Sequence, residues 1–238
     1  MASFLFTFIG QQCKKNMNFI LNIETATKNC SVALSQNGIV IACKEIAEAG
    51  YSHAEKLHVF IDEILKENNL TFNDLSAIAI SQGPGSYTGL RIGVSAAKGL
   101  CYSLDIPLIA VDTLEVLSRK LTVENGIIIP MIDARRMECY TAIFDAKHEK
   151  IREVKAEIID ENSFQETTET IHFVGDGALK CKEILTDAKF VYHDEIVFPS
   201  ANEMSKIDYD KYKKNDTVSV AYFEPFYLKD FMMTVSSK

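Results

Sequence analysis

Residues 18–44 read NFILNIETATKNCSVALSQNGIVIACK, and this stretch decides how the fold begins. Three apolar runs follow one another at 19–23, 31–34 and 39–44, and the pair Asn37-Gly38 separates the second run from the third. Asn-Gly tolerates the positive φ angles of tight hairpin turns, so the second and third runs are predicted to form an antiparallel hairpin. The chain is therefore predicted to open with a β-meander.

Helix and strand patterns alternate downstream of the meander. Residues 52–55 (SHAE) form a capping-box sequence, and the apolar residues after them repeat at helical spacing. A short apolar run at 75–81 predicts a buried strand, and a long helix capped by Ser86 or Thr88 is predicted to follow it. A further strand is predicted at 108–111. This alternation indicates an α/β fold with a mixed sheet.

The same pattern then starts again. Two apolar runs, 127–132 and 138–144, flank the segment 133–136 (DARR), much as the first two strands flank residues 24–29. A second, related half is therefore predicted, with the polar stretch 118–126 as the junction.

Charge and composition exclude several classes of protein. With 25 Lys and Arg against 33 Asp and Glu among 238 residues, the formal net charge is −8, which disfavours broad binding of nucleic-acid phosphates. The 47% of hydrophobic residues is typical of a globular protein. The six cysteines are scattered, as in a reducing cytosol, and no apolar run reaches the roughly 18 to 20 residues of a membrane span. The sequence predicts a soluble, cytoplasmic protein.

Residues 81–91 (SQGPGSYTGLR) are a glycine-rich loop between a predicted strand and a predicted helix. Backbone amides at a helix start can hold a phosphate, but the segment lacks both the Walker A ending and the spacing of a dinucleotide-binding motif. The alternative is a tight turn followed by a smooth stripe of Gly89, Gly93 and Ala97, against which another helix packs. We favour the packing interpretation.

Polar residues 24–29 lie between two strands, where the actin and sugar-kinase superfamily holds nucleotide phosphates. Glu24 stands where those kinases carry Asp, and the Gly that allows close approach of a phosphate is missing. Arg135 and Arg136 in the second half could clamp a phosphate or a carboxylate, but adjacent arginines in a turn are more often solvated or paired. A vestigial phosphate loop is predicted to comprise Glu24, Thr25, Thr27, Gly83, Gly85 and Ser86.

The sequence offers no catalytic residue, no metal site and no cofactor. None of the five histidines forms the i, i+4 helical pair of a zinc site, since His53 and His58 are five residues apart. His53, at a helix start, is predicted to be neutral. No Gly-x-Ser-x-Gly elbow stands at a strand-to-helix turn, so a serine nucleophile is not predicted either.

Six segments together resemble one known family. In chain order they are ILNIETATKNCSVAL (20–34), SHAEKLHVFIDEIL (52–65), ISQGPGSYTGLRIGVSAAKGLCYSLDIPLIAVDTLEVL (80–117), PMIDARRMECYTAIFD (130–145), FVGDGA (173–178) and FPSA (198–201). They resemble the TsaB (YeaZ) family of bacterial tRNA threonylcarbamoyladenosine biosynthesis proteins over nearly the whole chain from Met17. The glycine-rich segment is the most specific part of the resemblance, and the carboxy-terminal third is the weakest.

The resemblance implies a two-lobed α/β fold of the ribonuclease H-like kind that actin, sugar kinases and the heat-shock chaperone ATPase share, in which each lobe is a mixed sheet with helices. The lobes are expected at 17–117 and 118–238, with a tail from about residue 222 packing back on the first lobe. Residues 1–16 lie outside the family pattern and are predicted to be an extension, either disordered or the result of a mis-assigned start.

The resemblance also implies a non-catalytic relative of TsaD, the subunit that transfers the threonylcarbamoyl group to N6 of the adenosine beside the tRNA anticodon. TsaB members pair with TsaD, the small ATPase TsaE joins them, and contact with tRNA is expected to be indirect or weak. The implied partner surface lies on two helices and comprises His53, Leu57, Phe60, Ile61, Ile64, Gly89, Arg91, Gly93, Val94, Ala97, Lys98 and Tyr102. An apolar stripe on one helix and a small-residue groove on the other suit a four-helix bundle between two proteins.

Some alternatives stay open at this point. Leu57, Phe60 and Ile64 could equally be core residues of their own lobe, and without TsaD a homodimer through the same helices is predicted. A nucleotide-binding ATPase or kinase of the actin-like superfamily is the second functional hypothesis, against which the missing glycine in residues 24–29 counts. A metallopeptidase is the third, and the lack of paired histidines makes it the least favoured.

Overall fold

The computed structural model describes residues 17–47 and 53–228, which form two lobes, each built around a mixed sheet. Within these ranges the first sheet consists of β1 (Phe19–Glu24), β2 (Cys30–Gln36), β3 (Ile39–Ile46), β4 (Leu75–Ser81) and β5 (Leu108–Val111). Its order is β3-β2-β1-β4-β5; the pairs β1–β2 and β2–β3 are antiparallel, and the pairs β1–β4 and β4–β5 are parallel. The predicted meander and mixed sheet are confirmed.

The turn between β2 and β3 has the geometry that Asn-Gly predicts. Asn37 has φ 52° and Gly38 has φ 82°, both in the left-handed region, and Gln36 pairs directly with Ile39. The Asn37 side chain also accepts a hydrogen bond from Asn18 N at 3.1 Å, which ties the turn to the start of β1. The hairpin register is thus fixed from both sides.

Three helices of the first half follow the meander. They are α1 (His53–Glu67), α2 (Tyr87–Leu104) and α3 (Thr113–Ser118). At the start of α2, Ser86 Oγ accepts from Gly89 N at 3.3 Å, and at the start of α3, Asp112 Oδ1 accepts from Leu114 N at 2.9 Å. The predicted cap of α1, Ser52, lies outside the described residues.

The second lobe repeats the first. In the described part of this lobe the sheet consists of β6 (Ile127–Asp133), β7 (Glu138–Asp145), β8 (Lys150–Ile158), β9 (Ile171–Val174) and β10 (Phe190–Tyr192). Helix α4 (Asp176–Cys181) lies between β9 and β10 in the chain. The order β8-β7-β6-β9-β10 and the pattern of antiparallel and parallel pairs match those of the first sheet. The predicted second, related half is confirmed.

Both faces of the first sheet are covered, but by segments far apart in sequence. Helices α1 and α2 cover one face. The other face packs against a returning segment, a 3₁₀ turn (Ala201–Met204) and α5 (Ser205–Lys213). The structure here differs from the predicted division, in which only a tail from about residue 222 leaves the second lobe. The return begins near Ala201 because the second apolar face of the sheet, which includes Ile20, must also be buried.

A buried carboxyl lies in this returning segment. Asp208 of α5 and Asn22 of β1 are both fully buried. Burial raises the pKa of Asp208 to about 8, and the neighbouring Asn22 amide lowers it in part. The acid is therefore mostly protonated at neutral pH.

Helix α3 lies between the two lobes. Val116 packs in the core that includes the second face of the first sheet, whereas Leu114 and Leu117 pack with residues of the second sheet. Lys150 of β8 donates to Asp112 Oδ2 at 2.6 Å, just before α3. The chain therefore crosses between the lobes twice, once after α3 and once before Ala201.

Three sequence-based expectations concern membrane-spanning helices and the two ends of the chain. In the described ranges, no helix is both long enough and apolar enough to cross a membrane. The predicted extension, residues 1–16, lies outside the described residues, and so does the end of the predicted tail after residue 228.

Candidate partner interface and phosphate loop

The loop between β1 and β2 packs directly on the start of α2. Thr25 Oγ1 donates to Gly89 O at 2.8 Å, and Ser86 N donates to Ala26 O at 2.6 Å. A Cβ atom added at Gly85 would lie only 2.2 Å from Ala26 O. Loop and helix are therefore in contact with no space for another group between them.

Glycines spaced by four residues make this approach possible. A Cβ at Gly89 would lie 2.1 Å from Thr25 O, and one at Gly93 would lie 2.2 Å from Thr25 Oγ1, both far inside van der Waals contact. The packing interpretation of this stripe is thus supported. The prediction that a helix packs there is wrong at these two glycines, because the β1–β2 loop occupies the stripe.

Glu24, the last residue of β1, is fully buried. Its Oε1 accepts from Ala26 N at 2.6 Å. Burial raises the pKa of Glu24 to about 7, while hydrogen bonds from Ser81 and Ala26 lower it in part. Ser81 also shares a hydrogen bond of 2.6 Å with Thr113 Oγ1. The carboxyl that stands where a kinase carries Asp is thus buried and bonded to the backbone of its own loop.

The structure brings the six predicted phosphate-loop residues together in one place. Glu24, Thr25, Thr27 and Gly83 are buried, Gly85 is half-buried and Ser86 is exposed. Thr25 bonds to Gly89 in the first turn of α2, Ser86 N to Ala26 O, and Gly83 N donates to Thr113 Oγ1 at 3.0 Å. This arrangement serves packing, and nucleotide binding at the loop stays a prediction.

The twelve predicted interface residues divide into two sets. Seven of them are buried within the first lobe, namely Leu57, Ile61, Ile64, Gly89, Gly93, Val94 and Ala97. Five carry exposed surface, namely His53, Phe60, Arg91, Lys98 and Tyr102. In the single chain only the second set is open to a partner. Helical periodicity does not distinguish the two sets, because both faces of these helices carry apolar residues.

Two members of the exposed set also hold neighbouring segments. His53 Nε2 donates to Thr27 O at 2.7 Å, which ties the start of α1 to the β1–β2 loop. Lys98 Nζ donates to Ala221 O at 3.2 Å and to Phe223 O at 2.9 Å. The charged side chain of Lys98 thus fastens the carboxy-terminal part of the chain to α2.

Residues 218–227, here called the C-terminal strap, run along one side of α2. Lys98 holds the middle of the strap, and the Tyr227 ring stacks on the Tyr87 ring with 5.0 Å between their centroids. The Arg91 guanidinium lies 4.5 Å from the centroid of the same Tyr87 ring. The strap therefore covers one flank of α2 and leaves the flank that faces α1 open.

A shallow groove of 370 Å³ lies on this open flank, between α1 and α2. It is lined by His58, Ile92, Ser95, Ala96, Gly99 and Leu100, and is here called the helix groove. A Cβ at Gly99 would meet no atom within 4 Å, unlike those at Gly89 and Gly93. Nothing within the described lobe requires a glycine at position 99, although glycine inside a helix costs about 1 kcal/mol relative to alanine.

Sequence reasoning missed the helix groove. The available signal was Gly99, a glycine in the middle of α2 that lies six residues after Gly93 and so falls off the stripe of glycines spaced by four. Its bare backbone keeps the groove floor open to a close-packing helix.

A histidine pair in the second lobe was not predicted either. His172 Nδ1 lies 3.1 Å from His193 Nε2, and burial lowers the pKa of His172. Across residues 17–47 and 53–228, no group of three or more His, Cys, Asp or Glu side chains is arranged to hold a metal ion.

Known proteins match this chain over most of its length. The family described as "TsaD: tRNA N6-adenosine threonylcarbamoyltransferase" matches residues 45–230. The tRNA threonylcarbamoyladenosine biosynthesis protein TsaB of Escherichia coli (strain K12) is 32% identical over 221 residues, which cover 89% of this chain and 94% of that protein. TsaB of Bacillus subtilis (strain 168) is 38% identical over 135 residues, which cover 57% of this chain and 58% of that protein.

A solved structure shows the same fold. YeaZ from Pseudomonas aeruginosa superimposes with a TM-score of 0.78 at 22% identity, covering 89% of this chain and 100% of that one. The predicted two-lobed, actin-like and ribonuclease H-like α/β fold is confirmed. On the identity, coverage and fold together, this chain belongs to the TsaB (YeaZ) family of tRNA threonylcarbamoyladenosine biosynthesis proteins.

Proposed function

We propose that, within tRNA threonylcarbamoyladenosine biosynthesis, this chain is a non-catalytic cytoplasmic scaffold. It pairs with TsaD, recruits TsaE and so supports transfer of the threonylcarbamoyl group to N6 of the adenosine beside the anticodon. The observation that carries this proposal is the open helix groove at Gly99, in a lobe whose phosphate loop is filled by the chain itself. An ATPase or kinase of this superfamily needs the opposite arrangement, with an open phosphate loop.

The match to the TsaD family supports TsaD as the partner. That match spans residues 45–230, which include both α1 and α2. A protein built on the same plan has two helices in the corresponding place, and two such pairs can pack as a four-helix bundle about an approximate two-fold axis. A glycine at the crossing point allows the helix axes to approach to about 8 Å.

The chemistry of the groove suits a protein partner. Ile92, Ala96 and Leu100 on α2 are only partly buried in the single chain, so a partner helix would complete their burial. Tyr102, one turn beyond Lys98, is 86% exposed. Exposed aromatic residues are enriched at protein interfaces relative to the rest of the surface. The arrangement therefore predicts an apolar centre with Tyr102, Arg91 and Lys98 at its rim.

Reconstitution tests the scaffold proposal directly. Purified protein is combined with TsaD and TsaE from the same source, threonylcarbamoyl-adenylate and unmodified tRNA, and the modified adenosine is measured. Modification is expected only when this chain is present, and the isolated chain is expected neither to hydrolyse ATP nor to cleave peptides. Turnover by the isolated chain, or full modification without it, would overturn the proposal.

A single substitution tests the proposed docking site. Gly99→Lys adds a long side chain in open space, so the isolated protein should fold normally while its dissociation constant for TsaD rises about tenfold or more, which corresponds to about 1.4 kcal/mol. Thr168→Lys, in an exposed part of the second lobe, adds the same side chain away from the groove and serves as the control. Calorimetric titration that gives equal affinities for both variants would exclude the helix groove as the TsaD site.

A further inference from the structure

The turn between β6 and β7 holds two adjacent arginines in an unfavourable backbone conformation. Arg135 has φ 74° and Arg136 has φ 51°, in the left-handed region that long side chains seldom adopt. Hydrogen bonds from Ala134 N to Glu138 O at 3.1 Å and from Glu138 N to Arg135 O at 3.2 Å close the turn and hold this conformation. Arg135 and Arg136 are here called the arginine tip.

The side chains of the arginine tip have no protein partner. The other three arginines of the sequence each contact a carboxylate or an aromatic ring, namely Arg91, Arg119 and Arg152. Arg135 and Arg136 are exposed, and neither guanidinium has a hydrogen bond, ion pair or ring contact within the described part of the chain. Adjacent arginines in this turn were expected to be either solvated or paired, and in the structure both are solvated.

Lys180 lies beside the tip, and two nearby carboxylates are already engaged. Asp133 pairs with Lys180, and Asp176 Oδ1 accepts from Asp133 N at 2.9 Å. Burial raises the pKa of Asp176, and the charge of Lys28, from the β1–β2 loop of the first lobe, lowers it in part. Lys28 is itself exposed. The other cation beside this turn, Lys180, is engaged by Asp133, so Arg135 and Arg136 carry the positive charge left open to a ligand, in a chain whose net charge is −8.

We propose that the arginine tip binds backbone phosphates of the tRNA that is modified; only the identity of this RNA rests on the proposed function. Guanidinium groups pair with phosphate oxygens through two parallel hydrogen bonds. A small anion needs donors that enclose it, whereas an extended polyanion can present its phosphates to an exposed turn. The proposed contact is direct, in contrast to the sequence-based expectation of indirect or weak tRNA contact.

The test is a titration of unmodified tRNA with the complex of this chain and TsaD at several salt concentrations. Arg135→Gln/Arg136→Gln is compared with Lys147→Gln/Lys155→Gln, which removes the same charge from exposed lysines of the same lobe. Lys147 follows β7, at the opposite end of that strand from the arginine tip. At roughly 0.1 M salt the arginine variant should bind tRNA about tenfold more weakly, and the slope of log affinity against log salt should fall by about 2. The lysine variant should change affinity less than about twofold.

A second variant separates loss of charge from loss of fold. Arg135→Asn/Arg136→Gly suits the left-handed backbone better than arginine does, so it should melt at a higher temperature while losing tRNA affinity as the Gln variant does. Unchanged affinity in both arginine variants, or an equal loss in the lysine variant, would overturn the inference.

Size-exclusion chromatography of this chain mixed with TsaD is run first. Complex formation tests the proposed pairing with TsaD and does not test the arginine tip. Where no complex forms, the same titration is made with the isolated chain. Binding that depends on Arg135 and Arg136 then supports the inference, and absent or arginine-independent binding overturns it.

Discussion

Replacing Asp208 by Asn is expected to protect the protein against destabilisation at rising pH. Asp208 is fully buried against β1, and burial raises its pKa from 3.8 to about 8. The unfolded chain loses this proton near pH 4, whereas the folded protein keeps it up to about pH 8, so rising pH favours unfolding across that window. At about 1.4 kcal/mol for each pH unit above 3.8, the buried acid lowers the free energy of unfolding by about 4 kcal/mol at pH 7.

The assay is urea unfolding between pH 5 and pH 8, followed by far-ultraviolet circular dichroism because the chain has no Trp. At pH 5 residue 208 is neutral in the folded state of both proteins, and the wild type should be less stable by only about 2 kcal/mol, the cost of keeping Asp208 protonated about one pH unit above its unfolded pKa. The difference should widen by about 4 kcal/mol at pH 8 in favour of Asp208→Asn. Glu24, whose pKa is raised to about 7, acts in the same direction, but it is present in both proteins and cancels.

Asp210 offers a matched control on the same helix. It is half-exposed and pairs with Lys213 at 2.9 Å, which holds the pKa of its carboxyl below the usual value. Asp210 is ionised in both folded and unfolded states between pH 5 and pH 8, so Asp210→Asn should leave the pH dependence unchanged. Parallel loss of stability in the wild type and in Asp208→Asn would refute the reasoning, because it would mean that Asp208 is not buried as the neutral acid.

Glycine packing, the helix groove and the arginine tip each give one further prediction. Gly89→Ala should lower the free energy of unfolding by about 3 kcal/mol in urea titration, because the new Cβ would lie 2.1 Å from Thr25 O. Without TsaD the chain should be a dimer by light scattering at high concentration, and Gly99→Lys should be a monomer; a monomeric wild type would contradict this. Arg135→Asn/Arg136→Gly should raise the free energy of unfolding by about 1 to 2 kcal/mol, measured by thermal melting, and an unchanged value would show that the turn is not strained.

Local sequence signals predict the first sheet well. The hairpin of β2 and β3 follows from Asn37-Gly38, because positive φ angles at a two-residue turn admit few other residues. The start of α2 follows from Ser86, whose hydroxyl caps the helix. The duplicated second half is also visible as a repeated order of apolar runs. Each of these features depends on residues close together in the chain.

Features that depend on distant residues could not be predicted in the same way. Helix α5 returns to the first sheet, but its own sequence, SKIDYDKYK, is mostly polar and gives no sign of where Ile207 packs. Helix α2 carries Val94 on its buried face and Ile92 and Leu100 on its open face, so hydrophobic patterning alone does not tell core from interface. The close contact of Thr25 with Gly89 joins residues 64 positions apart.

The return of the chain to the first lobe has a mechanical consequence. Both β1 and the C-terminal strap belong to the first lobe, and the second lobe, from β6 to β10, is inserted between them through two crossings. A pulling force applied at residues 18 and 227 therefore passes through the first lobe alone. The inserted lobe bears load only after the outer one has opened, so stretching should yield two rupture events, with the first lobe always breaking first.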